Sequence, residues 1–448
     1  MPDTIFAPAT PSGGAIGIVR LSGPAVRDTL ARLFVPAGGA SALVARQMTF
    51  GRLMDGETVV DECMACFFQG PKSYTGEDMA ELYLHGGQAV MKAALNLLAA
   101  TPHTDAMLRS AAPGEFTQRA FLNGKMDLSQ AESVMDLINA STQRSAKSAA
   151  EQLGGSVSKA VKGLEDHLLD LLSAINAALD YPDELEEETL STLPVETAAL
   201  LDSMNALLAG SVRGRVLREG AVVAIAGAPN AGKSSLFNAL VGSQRAIVTA
   251  QPGTTRDLVE ETIDLEGAPV RLVDTAGLRA CGDEAEQIGI ARAKEAALRA
   301  DFILLAFDCA APLTGEDRQF IASTAGRPRL GVLCKSDLPP ALTPAELEAL
   351  GLPCLSVSAE EGAGLGELKR RLAQAILPGE EAALITNSRQ AEALLEARRA
   401  LEELDVEDGA DCAAAQLRQA LCALGKITGR EADAEMIELI FSRFCVGK

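Results

Sequence analysis

A short run of branched apolar residues, Val222–Ala226, stops at Gly227 and is followed by Ala228, Pro229, Asn230, Ala231, Gly232, Lys233, Ser234 and Ser235. This is the pattern G-x-x-x-x-G-K-[ST] placed between a predicted strand and a predicted helix, and it constrains the chain more than any other feature. The glycines let the loop curl so that backbone N–H groups face an anion, and the helix N-terminus adds favourable potential. Lys233 can reach the outer phosphates of a nucleotide, and Ser234 can ligate a magnesium ion. Around the loop, apolar runs at Val270–Val273, Phe302–Phe307, Leu330–Leu333 and Cys354–Val357 alternate with helical intervals. That order predicts a largely parallel sheet in a compact domain spanning residues 216–377.

Further motifs fall at the ends of those runs. Asp274-Thr275-Ala276-Gly277 follows a strand, where the carboxylate can hold magnesium through water and the Gly277 N–H can sense a γ-phosphate. Between this motif and the loop lies Thr249-Ala250-Gln251-Pro252-Gly253-Thr254-Thr255, in which a Thr can close on the metal. Lys335-Ser336-Asp337 follows the next strand. A carboxylate there accepts from both N1–H and N2–H of guanine, a pair that adenine lacks. Ser358-Ala359, after the last strand, offers a backbone N–H to the guanine carbonyl. The series spells a GTP-binding domain with two departures. Cys334 stands where GTPases usually carry the Asn of Asn-Lys-x-Asp, so guanine preference is expected to survive through Asp337 with weaker affinity. Leu278 stands where many carry a water-orienting Gln. Asn230, with carbonyls of the Thr249–Thr254 loop, could instead hold a monovalent cation against the phosphates. Glu286 could place the attacking water, although its spacing by itself reads rather as that of a solvated helix residue.

Outside this block the pattern changes twice. Residues up to about 115 mix strand-like runs, such as Ala15–Leu21 and Thr58–Phe68, with a helix near Ala89–Ala99. From Phe116 to about Leu208, and again from 385 to 448, apolar residues recur at three and four, as in Leu164, Leu168, Leu171, Leu172 and Ile175, with Pro182 and Pro194 punctuating the helices. A nucleotide domain inserted between two halves of a helical domain is the simplest layout, with segments 1–118, 119–215, 216–377 and 378–448. The net charge of −21 argues against a large basic face that grips nucleic acid unaided, so an RNA substrate would need a local patch or a second protein. The acidic residues Asp183, Glu184, Glu186, Glu187 and Glu188 read as a solvated stretch. The cysteines lack disulfide-like spacing, which fits a reducing cytoplasm. Cys63 and Cys66 read as strand residues, and no apolar run is long enough to span a membrane.

Beyond the nucleotide motifs, several segments have no explanation in GTP binding: Ser73–Asp78, His85-Gly86-Gly87, Pro113–Thr117 continuing through Arg119–Lys125, Asp127–Glu132, and the terminal Phe444-Cys445-Val446-Gly447-Lys448. With Asn230–Ser235 and Asp274–Arg279 they make the chain similar to the MnmE (TrmE) family of tRNA modification GTPases over essentially its whole length. The resemblance implies a multidomain α/β plus all-α protein: an N-terminal α+β folate-binding and dimerising domain, a helical domain in two segments, and an inserted P-loop domain. It implies a potassium-activated GTPase that works as a homodimer. With the flavoprotein MnmG (GidA) in a heterotetramer, such an enzyme adds an aminomethyl or carboxymethylaminomethyl group to C5 of the wobble uridine of certain tRNAs. A methylene-tetrahydrofolate supplies the carbon, and FAD and NADH sit on the partner.

By residue, the resemblance implies folate binding by Arg20, Glu81, Lys125 and Lys448; read alone, each is a surface charge. It implies potassium ligands at Asn230, Thr249, Gln251 and Thr254, magnesium ligands at Ser234 and Thr255, a water-positioning acid at Glu286, and a reaction-critical thiol at Cys445. Ala112, in place of an Arg, and Gln390, in place of a His, depart from the family pattern away from the nucleotide motifs. A regulatory GTPase without modification chemistry would share the nucleotide motifs but leave Ser73–Asp78 and the Cys445 tail unexplained. A folate-binding module with a vestigial GTPase would not need Lys233, Ser234, Thr255 and Asp274 intact.

Overall fold

The computed structural model describes residues 3–39, 43–102, 107–242, 259–274, 300–377 and 384–448. The chain forms two compact units, Met1–Met135 with Gly425–Lys448, and Asp136–Leu424.

The first unit is built on seven strands: β1 (Thr4–Pro8), β2 (Ile16–Ser22), β3 (Phe34–Pro36), β4 (Met48–Asp55), β5 (Thr58–Phe68), β6 (Met79–His85) and β7 (Leu108–Ser110), in the order β3-β4-β5-β6-β2-β1-β7. All neighbours are antiparallel except β1 and β7. Alternation along β5 buries Asp61, Cys63, Ala65 and Phe67 and turns Glu62 and Met64 outward, as a period of two requires. Cys63 is buried in phase with this alternation and Cys66 against it, and burial, with Asp61 nearby, pushes the Cys63 thiol up to about 12. The helix Gln88–Ala100 covers the sheet with Met91, Ala94 and Leu98. The helix Glu115–Leu122 carries Arg119 inward, 1% exposed. Its guanidinium meets Asp3 at 2.9 Å, Glu115 at 2.9 Å and Glu77 at 3.2 Å. The C-terminal helix Ala434–Ser442 returns to this unit, where Phe441 packs on Phe444 with ring centroids 5.1 Å apart.

The second unit holds a helical layer and a second sheet. Ser156–Asp180 packs along Pro182–Ala209, which also receives Ser388–Glu402 from beyond the nucleotide block. Pro182 opens its helix, as the first turn tolerates. Pro194 does not end one: it lies inside Pro182–Ala209. An interior proline costs roughly 3 kcal/mol. Burial of Leu193, Leu200 and Met204 on both sides offsets that cost. Packing therefore overrides the breaker signal.

The sheet of this unit comprises β8 (Ala221–Ala226), β9 (Val259–Leu265), β10 (Ala268–Asp274), β11 (Phe302–Asp308), β12 (Arg329–Cys334) and β13 (Cys354–Val357), in the order β13-β12-β11-β8-β10-β9. It is parallel except for the β9–β10 hairpin. The spacing of apolar runs does not foresee β9, because three of the seven residues of Val259–Leu265 are acidic. Its turn, Glu266-Gly267, has φ of 53° and 91°, the pattern of a two-residue hairpin that Gly makes possible. Among the described residues no helix is long and apolar enough to cross a membrane.

Candidate functional site

The order of the parallel strands decides where chemistry can gather. β10 and β11 flank β8, and Asp274 at the end of β10 stands in register with Ile225 of β8. Loops leaving the carboxyl ends of such strands line one crevice. The loop after β8 passes so close to β11 that a Cβ at Gly227 would sit 2.2 Å from the Ala306 carbonyl oxygen. Asn230 adopts φ of 64° and Gly232 φ of 93°. The helix Lys233–Gly242 then begins, buried through Leu236, Phe237 and Leu240. Lys233 is 8% exposed, and its ammonium donates to the carbonyls of Gly227 at 2.9 Å and Ala228 at 2.7 Å. Ser234 Oγ donates to Asp274 Oδ2 at 3.1 Å. Two hard oxygen groups and an ammonium therefore meet at a helix N-terminus, a donor set that suits a magnesium-bound polyphosphate.

The residues proposed to read a base follow β12 and β13. Ser358 is fully buried; its hydroxyl donates to Asp337 Oδ1 at 2.7 Å while its N–H donates to the Ala363 carbonyl at 3.0 Å. The backbone donor that Ser358-Ala359 can offer a ligand is thus that of Ala359. Lys335 adopts φ of 60° and places its Nζ 2.5 Å from Asp308 Oδ2. Burial, with Asp308 adding to it, pushes the Cys334 thiol up to about 12, so it stays neutral beside the phosphate loop. Its Cβ lies 2.9 Å from where a Cβ at Gly232 would stand. Asp308 is a residue that motif reading misses. Its signal was its place at the carboxyl end of a central parallel strand.

Four proposed folate residues fall in the first unit. Antiparallel β2 and β6 set Arg20 opposite Glu81, and the side chains pair at 2.8 Å. Tyr83, missed from sequence, donates its hydroxyl to Glu81 Oε2 at 2.6 Å. Burial and this carboxylate raise the phenol to about 12. The Arg20 guanidinium lies 5.5 Å from the Tyr74 ring centroid and donates to the Gly447 carbonyl at 3.4 Å. That contact brings Gly447 of the tail beside Arg20. Gly447 is obligatory there, because with φ of 94° a Cβ would meet the Pro8 carbonyl at 2.1 Å. Lys125, in the turn after the helix Glu115–Leu122, reaches the loop that carries Tyr74, donating to the Pro71 carbonyl at 3.0 Å. Cys445 is exposed.

Thr249, Ala250, Gln251, Pro252, Gly253, Thr254, Thr255, Thr275, Ala276, Gly277 and Glu286 lie outside the described residues.

Comparison with known proteins adds an independent line. The family model described as "GTP-binding protein TrmE N-terminus" matches residues 4–125, and the MnmE helical domain model matches residues 128–445. The tRNA modification GTPase MnmE of Symbiobacterium thermophilum is 44% identical over 100% of this chain and 99% of its own length. The chain belongs to the MnmE family of tRNA modification GTPases. The MnmE of Chloroflexus aurantiacus is 42% identical, with both chains covered in full. Among solved structures, the G domain of the T. maritima FeoB iron transporter aligns at 28% identity over 35% of this chain and 98% of that one, with a TM-score of 0.27. The MnmE helical match runs across the nucleotide block because helical segments flank that block on both sides. As an MnmE-family member, the chain is a GTPase whose phosphate loop and whose Arg20–Glu81 pair occupy separate sheets.

Proposed function

We propose that this GTPase acts on tRNA with a flavoprotein partner of the MnmG (GidA) type, adding an aminomethyl or carboxymethylaminomethyl group to C5 of the wobble uridine. The observation that carries the reading is the meeting of Lys233, Ser234 and Asp274 at the carboxyl ends of β8 and β10, in a chain whose full length matches tRNA modification GTPases. In this reading GTP lies along the loop, with Asn230, Ala231, Gly232, Lys233, Ser234 and Ser235 on its phosphates and Lys335, Asp337 and Ala359 on its base. Ser234 and Thr255, with Asp274 behind them, would hold a magnesium ion, which would neutralise phosphate charge. Asn230, Thr249, Gln251 and Thr254 would hold a potassium ion, whose charge would serve in place of an arginine finger. Glu286 orients the water.

The Arg20–Glu81 pair is read as the site of a methylene-tetrahydrofolate, which supplies the one-carbon unit. A carboxylate can bind a pterin through two N–H groups, and Arg20, Lys125 and Lys448 can meet an anionic tail. The fit rests on Glu81, which already accepts from Arg20 and Tyr83 in a partly buried setting. Cys445 is placed in the same reaction. FAD and NADH belong to the partner, the chain pairs as a homodimer, and the complex works in the cytoplasm.

Mass spectrometry of wobble uridines from a deletion strain tests the reading. Unmodified C5 that this chain restores supports it. Unchanged nucleosides would leave a regulatory GTPase in its place. Two finer outcomes follow. GTP turnover is expected to be at least about tenfold faster in potassium than in sodium, since one positioned charge is worth that much or more; equal rates remove the ion from the mechanism. Arg20→Ala is expected to weaken binding of a reduced folate about tenfold by calorimetry, with GTP turnover unchanged.

A further inference from the structure

A base-recognition turn selects guanine only if its carboxylate is held in place. In most GTPases an Asn at the position of Cys334 ties this turn to the phosphate loop through its amide. Cys334 has no amide to offer. Its sulfur makes one long contact, 3.8 Å to the Val332 carbonyl, too long for a strong hydrogen bond. Against Gly232 it contributes packing alone. Yet Lys335 is held at φ of 60°, a conformation that disfavours a residue with a long side chain. Ser358 Oγ holds the Asp337 carboxylate at 2.7 Å and the Ser336 N–H reaches the Val357 carbonyl at 3.3 Å, but neither holds the Lys335 side chain.

Asp308 is placed to do so. It ends β11, in register with Cys334 of β12. Its Oδ2 lies 2.5 Å from Lys335 Nζ, and its Oδ1 accepts from the Ala310 N–H at 2.9 Å. The next residue, Cys309, donates its N–H to the Cys334 carbonyl at 3.0 Å. The carboxylate is thus fixed on one side by its own loop and clamps the turn on the other. The Lys335 hydrogen bond also holds the Asp308 carboxyl below the usual range, so it is charged at neutral pH.

We propose that Asp308 is the positioning residue for guanine recognition in this chain, acting through Lys335 where Cys334 leaves the turn without an amide tie. The proposal rests on the reading of Lys335 and Asp337 as base-binding residues. It predicts that selectivity for the guanine 2-amino group, which Asp337 must meet at a fixed distance, depends on Asp308. Binding of the phosphates does not.

The test measures affinities of the full chain for GDP, inosine diphosphate and pyrophosphate by calorimetry. In Asp308→Asn, GDP affinity is expected to fall about tenfold, the value of one partly exposed charged hydrogen bond. Inosine diphosphate affinity falls less, so the ratio between the two narrows, and pyrophosphate affinity holds. Adding Cys334→Asn to Asp308→Asn is expected to recover GDP affinity, because the amide tie is restored. Unchanged GDP affinity in Asp308→Asn overturns the proposal. So does an equal loss for all three ligands, which marks a general loosening of the fold. Asp337→Asn separates this from the underlying reading. If that variant loses its preference for GDP while Asp308→Asn keeps it, the positioning role alone is wrong. If Asp337→Asn keeps the preference, the base site is misplaced and the proposal falls with it.

Discussion

Lys233→Ala should lower GTP turnover by roughly a hundred- to a thousandfold, the loss typical of one preorganised charge at a transferring phosphoryl group. Lys233 is nearly buried, and its ammonium spans the carbonyls of Gly227 and Ala228. It therefore stands at the mouth of the loop, aimed by the same backbone that would face the phosphates. The helix it opens is held by Leu236, Phe237 and Leu240, none of which depends on the ammonium. Thermal stability should accordingly change little. Phosphate release measured under single-turnover conditions, alongside a melting curve, checks both halves. Near wild-type turnover in a folded variant would falsify the assignment of the phosphate site.

The second large effect concerns stability. Arg119→Met should destabilise the first unit by about 3–5 kcal/mol, the usual loss when one partner of a buried ion pair is removed. The guanidinium is completely enclosed and faces Asp3, Glu77 and Glu115. Removing it leaves those carboxylates facing one another, with Arg109 still pairing Asp3 and Glu115. Glu77 also binds Ser22 at 2.7 Å, beside the loop that carries Tyr74, so loosening is expected to reach the Arg20 site. The chain has no Trp and three Tyr, of which Tyr74 and Tyr83 belong to this unit, so tyrosine fluorescence follows its unfolding by denaturant. A midpoint equal to wild type would refute the role assigned to Arg119.

The same cluster sets an acid limit. Burial raises the carboxyls of Asp3 and Glu115, but hydrogen bonds from Arg109 and the charge of Arg119 outweigh it, and both end below their usual range. Groups depressed in the folded state stabilise it fully above their ordinary values, near about pH 4, and lose that contribution as pH falls through the lowered ones. Wild type should lose stability steeply below about pH 4. Arg119→Met should show a shallower acid limb.

Legibility in the sequence followed the range of each interaction. The strands from Val222, Val270, Phe302, Leu330 and Cys354 were readable because buried parallel strands are short apolar runs. β9 was not, since an edge strand with Glu260, Glu261 and Asp264 carries no such run. Lys233 and Ser234 lie in one local segment, which a motif can capture, whereas Asp274, at the end of β10, comes beside Ser234 only through the pairing of β10 with β8. Pro194 misled, because a local breaker was outweighed by contacts made far along the chain.

What the sequence by itself determined is the phosphate loop, the parallel sheet that presents it, and family membership, all carried by residues close together along the chain. Only the tertiary structure decided that Asp308 clamps Lys335, that Cys334 packs on Gly232, that Glu81 pairs with Arg20, and that the tail reaches Arg20 through Gly447. Each of these joins strands or segments whose neighbours are set by sheet order. Sheet order is a global choice among many pairings with the same local pattern, so it is written in no single stretch of residues.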